Sequence, residues 1–291
     1  MGYAFGLSAA VFFAASSILV RVGQRDEAAD DGVFMTVVVN VLALGAVALT
    51  VDVPAWSTSG IVGLAVGGMI GTVGGRSALL RAVRLIGPSR ANAFMTTSPI
   101  AAAIAGWILL DESLGPLEGV GGVIAILGLF WLVRGRVPDI GTPHHSPITH
   151  YLIAASAPTF FGLAFVARKW GLARFPSSVL GAFIGALAAL AVLMLIDAAR
   201  GMLAERVGRN FRRIPWWFVA AGLSMSAALL SQFFAFEHLP AWVVGILQGT
   251  QGIWTIAISW LFIRGDERID RTLVGSVVLV VAGVSLIGIA R

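Results

Sequence analysis

The 291-residue sequence contains no cysteine, and only 12% of its residues are charged. Without cysteine it can form neither disulfides nor thiolate nucleophiles nor Cys-ligated metal sites. Soluble domains carry about 25% charged residues, so the low charge content, with 58% hydrophobic residues and a mean hydropathy of +0.90, places the chain among membrane proteins. Its net charge of +5 comes from 20 Lys and Arg against 15 Asp and Glu. These sit mostly in short connectors, not in a patch interleaved with aromatics, which argues against nucleic-acid binding. Every Asp and Glu falls at the end of an apolar stretch or in a connector. His144, His145 and His150 share one loop without helix-borne partners, so no metal site is expected. Nor do the apolar stretches carry a nucleophile, base and acid together, so neither an enzyme nor a cofactor is expected.

What is present is a helix written twice. Residues 3 to 23, YAFGLSAAVFFAASSILVRVG, align without a gap on residues 151 to 171, YLIAASAPTFFGLAFVARKWG, at an offset of 148. Tyr3/Tyr151, Ser8/Ser156, Ala9/Ala157, Phe12/Phe160, Phe13/Phe161 and Gly23/Gly171 are shared, and Arg21 faces Lys169. An offset of 153 pairs Ala82/Ala235, Thr97/Thr250, Ile100/Ile253 and Trp107/Trp260, and an offset of 155 pairs Gly128 with Gly283. Such self-similarity marks a duplicated unit. Because the first copy leads into charged residues instead of a small-residue cleavage site, it reads as a retained helix and not a signal peptide.

A crossing helix needs roughly 20 apolar residues. Cutting at charged and Pro/Gly connectors gives ten spans, near 3–22, 33–51, 59–85, 88–110, 116–134, 150–170, 177–197, 215–237, 240–263 and 271–290. The polar stretch RGRVPDIGTPHHS reads as the linker between halves. The expected organisation is a first five-helix repeat over 1–134, a linker over 135–147 and a second repeat over 148–291. Five is odd, so the second copy enters from the opposite side and the fold is all-α, with ten transmembrane helices as two inverted repeats.

Odd-numbered loops carry fifteen arginines, among them Arg21, Arg81, Arg134, Arg206 and Arg268, whereas even-numbered loops carry only Arg168, Lys169 and Arg174. Short basic loops prefer the cytoplasm, which by this count puts both termini outside.

The chain resembles the EamA branch of the drug/metabolite transporter superfamily over essentially its whole length. The resemblance rests on an aromatic and small-residue pair leading to a basic residue eight positions on (Phe13-Ala14 to Arg21, Phe161-Gly162 to Lys169). It continues in Ala82-Val83-Arg84, in Pro99, and in Trp107 and Glu112 beyond it. The second half departs from the pattern, with Gly252 at the proline position, Glu237 at the basic one and Gly265 at the glutamate. The resemblance implies a ten-helix carrier for small metabolites in a cytoplasmic membrane, with a cavity lined by spans 1, 3, 4, 6, 8 and 9. It also implies cytoplasmic termini, opposite to the arginine count.

Charged groups at membrane depth cost about 2.5 to 3.5 kcal/mol on insertion scales, which makes Arg76, deep in the third span, a candidate anchor for a carboxylate or phosphate. Snorkelling to the nearby interface is the alternative. Absence of a mid-span carboxylate argues against organic cations and for neutral, zwitterionic or anionic solutes such as amino acids. Pro99 is expected to break the fourth span beside Asn92, Thr96 and Thr97, and Gly252 the ninth, beside Gln248, Gln251 and Trp254. These residues and Gln232 are candidate substrate ligands, with Ser16 and Ser17 weaker ones; interhelical hydrogen bonding is the competing explanation. Gly63, Gly67, Gly71 and Gly75 form a small-residue stripe suited to close packing. The expected partners are a small-molecule substrate and the lipid bilayer. A lipid or lipid-linked sugar phosphate flippase, and a non-transporting membrane interaction protein, are the rival readings.

Overall fold

The computed structural model describes residues 1–26, 33–86, 94–95, 97–112, 115–134, 147–212, 216–262 and 271–290. Asn92, Thr96, His144, His145, Gly265, Asp266 and Glu267 lie outside them. Among the described residues these α-helices follow one another: α1 (Gly2–Asp26), α2 (Val33–Ala48), α3 (Thr58–Met69), α4 (Arg76–Ile86), α5 (Ser98–Leu110), α6 (Pro116–Arg134), α7 (Ile148–Arg174), α8 (Ser178–Ala199), α9 (Leu203–Arg212), α10 (Trp216–His238), α11 (Ala241–Gly249), α12 (Gln251–Phe262) and α13 (Arg271–Ile289). A π-helical turn, Ile70–Gly75, joins α3 to α4.

Among the described residues, five helices are long and apolar enough to cross a membrane, and four shorter ones are apolar. The remaining span is the ninth, which is divided between α11 and α12. Among the described residues, each of the ten spans read from the sequence is largely helical. Two are broken, and the connector between the seventh and eighth holds an additional amphipathic helix, α9.

The chain forms two compact units that each draw on both halves of the sequence. Residues 1–69 and 167–237 form the first unit, and residues 70–166 and 238–291 the second. The chain passes between them at Met69, where α3 gives way to the π turn, at Val166 inside α7, and at Glu237 at the end of α10. Glycine has poor helix propensity, and the run IGTVGG places three glycines where the α-helical ladder yields to the wider turn.

In the first unit α8 packs on α2 and α3. A Cβ on Gly68 would collide with the backbone of Gly185, so these two helices touch main chain to main chain. Only small residues permit that approach, and in lipid such van der Waals contact replaces the hydrophobic effect as the force between helices. Polar side chains add ties between helices: Ser16 Oγ donates to the Ala221 carbonyl at 2.8 Å and Ser226 Oγ to Asn40 Oδ1 at 2.9 Å. Asp197, buried at the end of α8, accepts from Arg206 of α9 at 2.8 Å and so holds the amphipathic helix.

In the second unit α6 and α13 make the most extensive helix pair, crossing where a Cβ on Gly121 would stand 2.8 Å from the Gly283 carbonyl oxygen. On α5, Ile100, Ile104, Trp107 and Ile108 are exposed while Ser98, Pro99, Ala102, Ala105 and Gly106 are buried. Large apolar groups out and small groups in is the pattern of a helix whose outer solvent is lipid. The aromatic and small-residue pair of the second repeat has a packing role here. Phe161 fills the notch left by Gly75, and Gly162 lets α7 reach the backbone of α5 at Ala101 and Ala102.

Candidate functional site

Two threonine turns, each leading into a helix, mark the candidate site, and both lie in the second unit. At the first, the Thr97 amide donates to the Phe94 carbonyl at 3.0 Å and its hydroxyl to the same oxygen at 2.7 Å; its own carbonyl accepts from Ile100 at 3.0 Å and Ala101 at 3.3 Å. At the second, the Thr250 amide donates to the Leu247 carbonyl at 3.1 Å and its hydroxyl to the same oxygen at 2.6 Å; its carbonyl accepts from Ile253 at 2.9 Å and Trp254 at 3.3 Å. Each is a tight turn clamped by a threonine that bonds one oxygen twice, followed by a new helix. These are the residues that the offset of 153 pairs.

The sequence leads one to expect Pro99 to break the fourth span from within a helix. Instead it stands in the first turn of α5, with Thr97 at the N-cap position. That turn has no intrahelical use for an amide, so proline fits there without breaking a bond. In the ninth span the break falls at Thr250, and Gly252 is the second residue of α12. The two breaks meet through their helices: α5 packs on α11, and a Cβ on Gly245 would lie 3.4 Å from Pro99 Cα and from Phe165.

Glu112 ties the same two helices at their other ends. Its amide closes the end of α5 by donating to the Gly106 carbonyl at 3.2 Å, past Asp111 in the left-handed conformation with φ of 52°. Its carboxylate accepts from the Ala241 amide at 3.1 and 3.3 Å, capping α11, whose N-cap residue Pro240 has no side chain able to do so. A carboxylate there also meets the positive end of the helix dipole.

Half-helices ending in the bilayer expose backbone groups and are where carriers commonly hold solutes. Gln248 is half-buried near the end of α11 and Gln251, also half-buried, begins α12. The turn at Thr250 interrupts the register that a continuous helix would have given them. Trp254 is half-buried one turn into α12. Arg76, half-buried, is the first residue of α4, directly after the π turn; π turns are frequent at functional sites.

Gln232 belongs elsewhere. It lies on α10 in the first unit, fully buried, and its Oε1 accepts from Arg168 Nη1 at 2.7 Å. Arg168 itself was read from the sequence as a loop residue, and this is corrected: α7 continues to Arg174, so Arg168 is buried within a helix. Pro176 carried the signal, because helices usually end just before the residue preceding a proline. Ser16 and Ser17 spend their hydroxyls on the Ala221 and Phe13 carbonyls. Among the described residues no cluster of metal-ligating side chains occurs.

No curated protein matches the sequence. Among solved structures, one whose title describes it only as a protein superposes with a TM-score of 0.73, covering 99% of this chain and 96% of its own at 16% identity. At that identity the likeness is one of fold. The family model described as "EamA-like transporter family" matches twice, over residues 1–134 and 148–289. These two matches fall on the two halves of the repeat and together span nearly the whole chain, so the protein belongs to the EamA-like transporter family and is a multi-pass membrane protein of the drug/metabolite transporter type.

Proposed function

We propose that the protein is a secondary carrier that moves a small neutral, zwitterionic or anionic metabolite across the cytoplasmic membrane by alternating access. The observation that carries this reading is the pair of repeat-related breaks at Thr97 and Thr250. Two helices that begin or end at matching threonine turns, packed together in one unit, supply helix ends and polar side chains in a place where lipid could not satisfy them. Thr97, Gln248, Gln251 and Trp254 are the proposed solute contacts beside the breaks, and Asn92 and Thr96 belong to the same proposal. Pro99 and Gly252 mark the segments that bend. Arg76 attracts an anionic or zwitterionic group from the first turn of α4.

Purified protein in sealed vesicles is expected to take up one or more of a panel of amino acids, nucleosides, sugars and organic acids with saturable kinetics. Arg76→Ala is expected to raise the half-saturation concentration while the protein stays folded. Movement of lipids alone would replace the carrier with a flippase. A protein that moves nothing, and in which Arg76→Ala alters stability only, would be an interaction partner instead.

A further inference from the structure

Arg168 is 8% exposed and Gln232 is 0% exposed, both inside the first unit. A guanidinium has five N–H donors and one positive charge. Here one donor is used on the neutral Oε1 of Gln232, at 2.7 Å, and among the described residues no carboxylate pairs with the charge. The nearest carboxylate along α10, Glu237, accepts from Ser178 Oγ at 2.6 Å. A charge removed from water needs a countercharge as well as hydrogen bonds, and Gln232 supplies only the second. The head group is aimed at a neighbouring helix: Gln232 lies six residues before the end of α10, and Arg168 six before the end of α7.

We propose that Arg168, oriented by Gln232, is an oxyanion-binding site within the first unit, taking a carboxylate or phosphate group. This rests on the carrier reading and narrows its substrate class to solutes bearing an oxyanion. The planar fork of arginine matches two oxygens of such a group, and the bond to Gln232 holds that plane before the anion arrives. A neutral partner is required for this, since an acidic one would neutralise the charge that recognises the ligand.

Gln232→Glu tests the site by installing that neutralising partner. Full-length protein in detergent is melted with lactate and lactamide, benzoate and benzamide, alanine and alaninamide, and with inorganic phosphate. Wild type is expected to be stabilised by at least one carboxylate or by phosphate, and not by the matched amide; which of the two acts separates the two sources of the oxyanion. In Gln232→Glu the half-maximal concentration is expected to rise about tenfold or more, the scale of a lost charged hydrogen bond, with the melting temperature of the ligand-free protein unchanged or higher. Arg168→Gln is expected to lose the response as well; if it fails to fold, the Gln232 variant decides alone. No anion response in wild type, an equal response to amides, or a response that survives Gln232→Glu overturns the site. Uptake of a neutral solute that survives Gln232→Glu would leave the carrier standing without this site, whereas anion binding without any transport would remove the carrier and keep the site.

Discussion

Thr97 and Thr250 make the same pair of hydrogen bonds to the same relative carbonyl, with hydroxyl distances of 2.7 and 2.6 Å and amide distances of 3.0 and 3.1 Å. The residues beyond them differ, proline following in one copy and glycine in the other. What the duplication has kept is therefore the threonine clamp, while the residue that would be blamed for each break has changed.

Removing one hydroxyl isosterically tests the clamp. Thr97→Val and Thr250→Val each remove a bond worth about 1 kcal/mol, and each is expected to lower the melting temperature slightly and uptake more strongly. Equal losses of melting temperature and uptake, with the missing activity recovered on cooling, would make the clamps structural only.

Glu112 caps α11 where Pro240 cannot. Glu112→Ala is expected to destabilise the protein by about 0.5 to 2 kcal/mol, the range for a lost N-cap, with Glu112→Gln intermediate because it keeps an acceptor oxygen and loses the charge. Denaturation midpoints of the three proteins check the order.

The crossing of α6 and α13 leaves no room for side chains at Gly121 and Gly283. Gly121→Val and Gly283→Val are each expected to cost about 2 kcal/mol or more, as overpacking does, and to reduce the yield of folded protein. On α9, a side chain at Gly208 meets nothing within 4 Å, so Gly208→Val is the matched control and is expected to leave the melting temperature unchanged.

Orientation follows from single cysteines in this cysteine-free chain. Ser57 is a poor position, because its hydroxyl accepts from the Gly60 amide at the start of α3; exposed Asp52 in the same loop is better. The connector after α8 forms a basic amphipathic helix, which favours the anionic cytoplasmic surface. Impermeant reagent added outside intact cells is expected to label Asp52→Cys and to spare Gly208→Cys. The reverse pattern would place the termini in the cytoplasm and set aside the arginine count.

The sequence by itself determined the membrane class, the ten spans and the duplication, because lipid demands long apolar helices and a repeat is visible in the letters. It also pointed to the fourth and ninth spans as the ones to search, through Pro99 and Gly252. Only the tertiary structure decided where each break falls, because a proline that disrupts a helix interior is equally at home in a first turn, and neighbours choose between the two. It alone separated Gln232 from the other candidates by giving it to Arg168, two residues 64 positions apart. And it showed that the packing units cut across the repeats, since contact between small residues on helices distant in the chain, such as Gly121 with Gly283, cannot be read from spacing.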